Sequence, residues 1–557
     1  MAKQLIECVP NFSEGVNRNI IDAICSEIES VEGVKLLDVD PGKATNRTVV
    51  TFVGEPQAVV DAAFLAIQKA AELIDMRQHT GEHPRMGATD VCPLIPISGI
   101  SMEETAAYAH QLGQRVGQEL GIPVYMYENA AANEQRKNLA TIRAGEYEGF
   151  REKITRPEWK PDYGEAIYNE RSGATVIGAR DFLVAYNVNL NTTSTRRANS
   201  VAFDLRENGR VKEVDGKKVF DEQGQEIREP GLLKSVKAIG WYIEEYGIAQ
   251  ISMNLTNTSI TPLHIAFDTA VERAHARGLR VTGSELVGLV PLQSMLDAGR
   301  YFLTKQRRST GVSESELIRI AIKSLGLDEL APFDPKKKII EYLIADEQSK
   351  KLVDMNLVQF ANETASESPA PGGGSISAYV ASLGASLGTM VANLSSHKKG
   401  WDDRWEFFSE YAEKGQKIKD SLLHLVDEDT SAFNRIMTAF TLPKSTDDEK
   451  ATRSQAIQDA TLYATMIPLK TMLTAYQAFD VIEAMIEHGN PNSITDAAVG
   501  ALCVRSAIYG AYLNVKINAS GLKDKDKAEK LTTQATALLH NTVEKERQLL
   551  ELTESKM

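Results

Sequence analysis

Cysteine is scarce in this chain: four in 557 residues. Cys8, Cys25, Cys92 and Cys503 stand far apart and match no zinc-binding spacing. They read as reduced, mostly buried thiols, the usage expected of a cytoplasmic protein. An excess of positive charge is missing too. Lys and Arg total 62 against 76 Asp and Glu, a net charge of −14. That balance excludes a general nucleic-acid binder, which needs a basic face, and requires any site for an anionic substrate to be locally basic. The opening MAKQLIECVPNFSEG lacks the apolar core of a signal peptide. PQAVVDAAFLAIQKAAELI, read as the most apolar helical stretch, is interrupted by Asp61, Lys69 and Glu72, so no membrane span is expected. The phosphate-cradling pattern GxxxxGK[ST] is absent as well.

What is present is ordinary in bulk and informative in pattern. Hydrophobic residues make up 43% and charged residues 25%, usual for a globular chain, and the length predicts two to four domains. In the first part QLIECVPNF, VKLLDVD, RTVVTFVG and DVCPLIPI read as strands. NRNIIDAICSEIESV and PQAVVDAAFLAIQKAAELI read as the helices between them. The order returns after Asp181 with FLVAYNVNL, TRRANSVAFDLREN, SVKAIGWYIEEY, AQISMNLTN, PLHIAFDTAVERAHARG and LRVTGSELVGLVPL. Both blocks spell strand–helix–strand–strand–helix–strand, the split βαβ pattern of ferredoxin-like sheets. Residues 209–231, charged and Gly-rich, read as a solvated hairpin or flap with no assigned function. From Lys350 the periodicity is almost entirely helical. The fold expected is therefore α/β plus all-α: two α/β subdomains of ferredoxin-like topology (1–180 and 181–331), a linker (332–349) marked by Pro332, Pro335 and a lysine run, and a helical bundle (350–557).

Three places carry chemistry. GEHPRMGATD, Gly81 to Asp90, gathers His83 and Arg85, with Arg77 and His79 just upstream; His79 and His83 are both candidate proton carriers. In SLLHLVDEDTSAFNRIM the apolar stripe runs through Leu422, Leu425, Val426, Ala432, Phe433, Ile436 and Met437. Asp429, four residues from both Leu425 and Phe433, falls on it. A carboxyl turned into a bundle core loses hydration and becomes a proton donor or acceptor; the alternative is an aspartate salt-bridged to a neighbouring helix. In SPAPGGGSISAY, Gly372, Gly373 and Gly374 precede a helix and leave backbone N–H groups for a carboxylate or ring carbonyl, or form a turn with Ser375 as cap. Ser493 and Asp496 in HGNPNSITDAAVG read as a capping box.

Taken together, ECVPNFSEG, LLDVD, TNRTV, GEHPRMGATDVCP, IRAGEYEG, SGATVIGAR, GSELVGLVPL, PGGGS and VDEDTSAF resemble, in order and over nearly the whole chain, the bifunctional formimidoyltransferase-cyclodeaminases. The resemblance implies transfer of the formimino group of N-formimino-L-glutamate to tetrahydrofolate, then closure to 5,10-methenyltetrahydrofolate with loss of ammonia. His83 matches the family's catalytic histidine and Asp429 its proposed cyclodeaminase carboxylate. Arg47 and Arg85 are plausible forks for substrate carboxylates, or else partners of Asp38, Asp40 or Asp90; Asp40 and the PGGGS residues Gly372, Gly373, Gly374 and Ser375 are placed among the binding residues. The family's folate segment corresponds to Gly164, Glu165, Ala166, Ile167, Tyr168, Asn169, Glu170, Arg171, Ser172 and Gly173. Its ends match and its interior differs from the vertebrate pattern. Further implications are tetrahydrofolate (as polyglutamate) as co-substrate, no metal and no permanently bound cofactor, small-molecule partners rather than nucleic acid or membrane, a homo-oligomer, and a cytoplasmic location.

Overall fold

The computed structural model describes residues 4–43, 45–81, 84–214, 217–221, 223–344 and 351–557. The chain forms two compact units, Met1–Met295 with Leu325–Ala345, and Leu296–Ser324 with Asp346–Met557. The sequence reading places residues 296–324 in the second α/β subdomain, whereas their contacts place them with the helices.

Two sheets build the first unit. In the larger, Leu5–Cys8 and Asn11–Phe12 run as one interrupted line between Arg47–Gly54 and Thr89–Ser98, antiparallel to both, and Val34–Gly42 pairs with Arg47–Gly54. Beyond Thr89–Ser98 the sheet continues with two parallel strands, Thr175–Ala179 and then Val124–Glu128. This extension is absent from the sequence reading. Both runs are almost wholly buried, so they lack the alternation that marks a half-exposed strand. The period-2 rule sorts the central strand cleanly. Ile6 and Cys8 pack into the core with helices Arg18–Glu29, Pro56–Leu73 and Met102–Glu119. Glu7, Val9 and Asn11 face the opposite way and line a cavity.

The second sheet has the spatial order Val236–Ile243, Ile248–Leu255, Val184–Leu190, Val281–Val287, antiparallel throughout. Helices Thr195–Leu205 and Leu263–His275 supply its buried apolar face. Within 209–231, Glu213–Val214 pairs with Lys217–Lys218 and Arg210–Val211 with Arg228–Glu229, both antiparallel. The expected linker is, over its first part, no linker: Ile339 and Ile340 are buried, and Val290 exchanges backbone hydrogen bonds with Lys338 and Ile340 at 2.9 and 3.2 Å. Apolar side chains hold it on the α/β unit. Residues 345–350 lie outside the described residues.

Long helices dominate the second unit: Gly373–Ser396, Trp405–Thr441, Asp447–Tyr476, Ala478–His488, Ile494–Ser520 and Lys525–Glu554. Gly373–Ser396 and the segment Pro491–Ser520 are long and apolar enough to cross a membrane by composition, but their buried faces build the bundle core. They cross where Gly384 meets Gly500; a Cβ on Gly384 would stand 2.8 Å from the Gly500 carbonyl oxygen. The apolar stripe of Trp405–Thr441 is only half buried, a correction to the sequence reading. Leu422, Leu425, Val426 and Ala432 are in the core, while Phe433 and Met437 are exposed. Gly384→Ala should cost about 1–3 kcal/mol by overpacking this crossing, read as a lower midpoint of chemical unfolding of the helical unit; an unchanged midpoint would show that the helices yield freely.

Candidate active sites

The histidine-bearing loop is clamped on both sides. Asn46 of TNRTV holds a left-handed backbone, tolerable for Asn. Its side chain accepts from Gly15 N–H at 3.0 Å and donates to the Thr80 carbonyl at 2.8 Å. The His79 ring is engaged twice: Arg85 Nε donates to Nδ1 at 3.2 Å, so Nε2 carries the proton donated to the Asn46 carbonyl at 2.8 Å. His79 is therefore structural. On the far side Asp90, fully buried, accepts from Met86 N–H at 3.0 Å and pairs with Arg143. His83 lies outside the described residues.

Arg85 departs from its expected role. It is buried, and Glu148 takes its guanidinium through two bonds at 2.9 and 2.7 Å, with Glu146 adding one at 3.0 Å. A fork already filled by a carboxylate cannot also hold a substrate's, so Arg85 ties the loop to helix Glu146–Lys153. Its partners are neither Asp38, Asp40 nor Asp90.

The segment Gly164–Gly173 reaches the same loop through backbone. Ala88 N–H donates to Ser172 O at 2.8 Å and Ala174 N–H to Met86 O at 3.1 Å. Gly173 has φ +67°, and a Cβ there would lie 2.1 Å from Met86 O, so glycine is required. Asn169 braces the turn, its Oδ1 accepting from Ser172 N–H at 2.9 Å. Arg171 reaches the carbonyls of Ala71 and Glu72 at the end of helix Pro56–Leu73, a capping role. Tyr168 packs on Tyr147 and Phe150. Glu165, Ala166, Ile167 and Glu170 are exposed.

Between the two sheets lies a cavity of about 390 Å³. Its walls carry Arg47, Arg143, Arg180 and Lys237 together with Glu7, Asp38 and Asp40. Arg47 and Asp40 line the same cavity. Burial lowers the Arg47 pKa against the pull of Asp90. Burial also raises Asp38, partly opposed by Lys338. The sequence reading missed Arg143, Arg180 and Lys237; the requirement for a locally basic site in an acidic chain was the signal that such cations had to exist.

In the helical unit the three acids of VDED separate by task. Asp427 accepts the Leu352 N–H at 2.7 Å and anchors the start of the unit. Glu428 takes the Tyr463 hydroxyl and lies beside His424 and Arg435. Asp429, half-buried, is held by Ser375, whose Oγ donates at 3.0 Å and whose backbone N–H also donates. Burial raises its pKa, and the Ser375 hydrogen bonds only partly oppose this. The expected alternative, a salt bridge to another helix, is not formed among the described residues. Asp429 lies over the first turn of Gly373–Ser396: a Cβ on Gly374 would sit 2.2 Å from Asp429 Oδ1. Gly372 caps the helix, so Ser375 is inside it rather than at its cap. Nor do Ser493 and Asp496 form the expected capping box; Ser493 makes no side-chain cap bond.

Gly372, Gly373, Gly374, Asp429 and Thr430 line a cavity of about 120 Å³ with Phe433, Asn514 and Asn518. Asn514 and Asn518 escaped the sequence reading, being lone amides on an apolar helix. Their Nδ2 groups donate to the Gly510 and Ala464 carbonyls at 3.0 and 2.7 Å, leaving on each amide the Oδ1 acceptor and a second N–H. Among the described residues no group of three or more His, Cys, Asp or Glu could hold a metal ion.

An α/β unit with a cation-lined cavity and a helical unit with a desolvated carboxyl define a two-site protein. Three family profiles match it in sequence: Formiminotransferase domain, N-terminal subdomain (residues 5–180), Formiminotransferase domain (185–345) and Formiminotransferase-cyclodeaminase (356–537). The chain is 43% identical over 537 residues to a formimidoyltransferase-cyclodeaminase of Rattus norvegicus, covering 96% of each. Each half has relatives of its own. A glutamate formimidoyltransferase of Streptococcus pyogenes is 41% identical over 303 residues, 54% of this chain and 94% of that one. A methenyltetrahydrofolate cyclohydrolase of Methylorubrum extorquens is 37% identical over 180 residues, 32% of this chain and 86% of that one. The chain belongs to the formimidoyltransferase-cyclodeaminase family.

Gly374→Ala should push the Asp429 carboxylate out of place and reduce ammonia release from 5-formiminotetrahydrofolate by roughly tenfold or more, as expected for a displaced proton-transfer group. Formimino transfer, measured as glutamate release, stays unchanged. Full ammonia release in this variant would show that the contact with Gly374 is incidental.

Proposed function

We propose that the chain is a bifunctional enzyme. Its α/β unit moves the formimino group from N-formimino-L-glutamate to tetrahydrofolate, and its helical unit closes the product to 5,10-methenyltetrahydrofolate with loss of ammonia. Kinship over both halves with a two-activity enzyme, and over each half with a single-activity one, carries this reading.

Transfer requires a folate nitrogen to attack an amidine carbon. One N–H must lose a proton and the departing glutamate nitrogen must gain one. His83 is the proton carrier in this proposal, since an imidazole titrates near neutrality. The cavity cations Arg47, Arg180 and Lys237 suit the carboxylates of formiminoglutamate and of a polyglutamate tail. Backbone of Gly164–Gly173 supports the folate side of the loop. In the helical unit, the neighbouring folate nitrogen attacks the formimino carbon and gives up its own proton, while Asp429 delivers a proton to the nitrogen that departs as ammonia. A carboxyl with a raised pKa holds that proton at a higher pH than an exposed aspartate. Folate is a co-substrate here, and no metal or permanently bound cofactor takes part.

Each α/β subdomain is ferredoxin-like: in both, the four antiparallel strands lie in the spatial order second, third, first, fourth. A homo-oligomer is favoured by apolar side chains left exposed on the helical unit, among them Phe433, Met437, Phe440, Leu513 and Ile517. The place of action is the cytoplasm, in histidine breakdown feeding one-carbon metabolism.

Two substitutions separate the half-reactions. His83→Ala should lower formimino transfer roughly a hundredfold or more with folate binding largely kept. Asp429→Asn should leave transfer intact and accumulate 5-formiminotetrahydrofolate, followed as glutamate released without ammonia. Equal loss of both activities in either variant would contradict the assignment.

A further inference from the structure

We propose that Glu7 is a substrate-recognising carboxyl of the α/β unit, binding a planar N–C–N pair of N–H donors on the ligand that fills the cavity between the two sheets. This rests on the transferase reading above. Two groups of the reacting pair have that chemistry: the formimino group of the donor, and the 2-amino-4-oxopyrimidine edge of the reduced pterin.

Glu7 sits mid-strand, opposite Val53 on one side and Ile95 on the other. Alternation turns it away from the helix-packed core, onto the cavity floor. It is 2% exposed, and among the described residues its carboxyl has no hydrogen-bond or ion-pair partner. Arg180 and Glu341 act on it only through space. Arg47, Arg143 and Lys237 with Asp38 and Asp40 are the other charged groups of the cavity wall. A buried carboxyl without a partner is costly, and nothing in the fold of the strand requires one there. Burial outweighs Arg180 and pushes its pKa up to about 8, so at neutral pH the carboxyl is held mostly as the neutral acid. Two N–H donors demand an acceptor-only partner, which is the ionised carboxylate. Binding therefore expels the proton. The arrangement also suits a ligand of mixed charge: cations on the walls for carboxylates, one acid on the floor for the amidine-like end.

Glu7→Gln keeps the shape and abolishes ionisation. Calorimetry at pH 7 in buffers of different ionisation heat reads the protons released on binding, with formiminoglutamate alone and tetrahydrofolate alone as separate arms. One arm in the wild-type protein should release about one proton per ligand, and in the variant none. That arm names the group recognised, and the KM of the same substrate should rise roughly 10- to 100-fold, the loss expected for a charge-assisted hydrogen bond. Ammonia release from 5-formiminotetrahydrofolate stays at the wild-type level. Folding is checked by the pH profile of the melting temperature. The wild-type protein loses stability as pH rises from the unfolded-state value near 4.5 to about 8, because the unfolded chain ionises there and the folded one does not; the variant lacks this slope. Equal proton release and equal KM in the two proteins would overturn the proposal. Failure of the wild-type protein to bind either ligand would instead overturn the transferase reading itself.

Discussion

A carboxyl kept from water is the constraint on which the helical unit turns. Asp429 rests on the first turn of Gly373–Ser396, over a glycine whose hydrogen is all that fits beneath it. The helix offers Ser375 N–H and Oγ as donors. Burial and these bonds push the acid in opposite directions, and burial prevails. The result is an acid that retains its proton longer than an exposed aspartate, facing a small cavity shared with Thr430, Asn514 and Asn518. Its neighbours Asp427 and Glu428 are occupied with tethering, which leaves Asp429 as the acid of that run available for chemistry.

The α/β unit solves a different problem with related means. Thr80 on one flank of the histidine-bearing segment is held by Asn46, and the other flank by the Arg85 and Asp90 networks. Much of what resembles a catalytic cluster is thereby scaffold: His79, Arg85 and Arg171 hold carbonyls and carboxylates of the protein. The face of the sheet opposite the helix-packed core is where alternation delivers Glu7, Arg47 and Asp38 to one cavity.

Much of this was legible in the chain. The two strand–helix–strand–strand–helix–strand blocks, the long helices after residue 350 and the desolvated position of Asp429 all follow from periodicity. The parallel strands Val124–Glu128 and Thr175–Ala179 were hidden because burial on both faces erases alternation. The partners of Arg85 were hidden because Glu146 and Glu148 lie about sixty residues downstream, and no local pattern links them. The exposure of Phe433 and Met437 runs against helical phase. Phase tells which residues share a face, and whether another helix covers that face depends on the whole bundle.

The central claim is that one chain carries a formimino group from glutamate to folate and then expels its nitrogen. The most direct measurement is an incubation of the purified protein with formiminoglutamate and tetrahydrofolate. Glutamate, ammonia and the absorbance of the methenyl product are followed in the same vessel. The account predicts that all three appear in equal amounts. Glutamate without ammonia, or neither product, would contradict it.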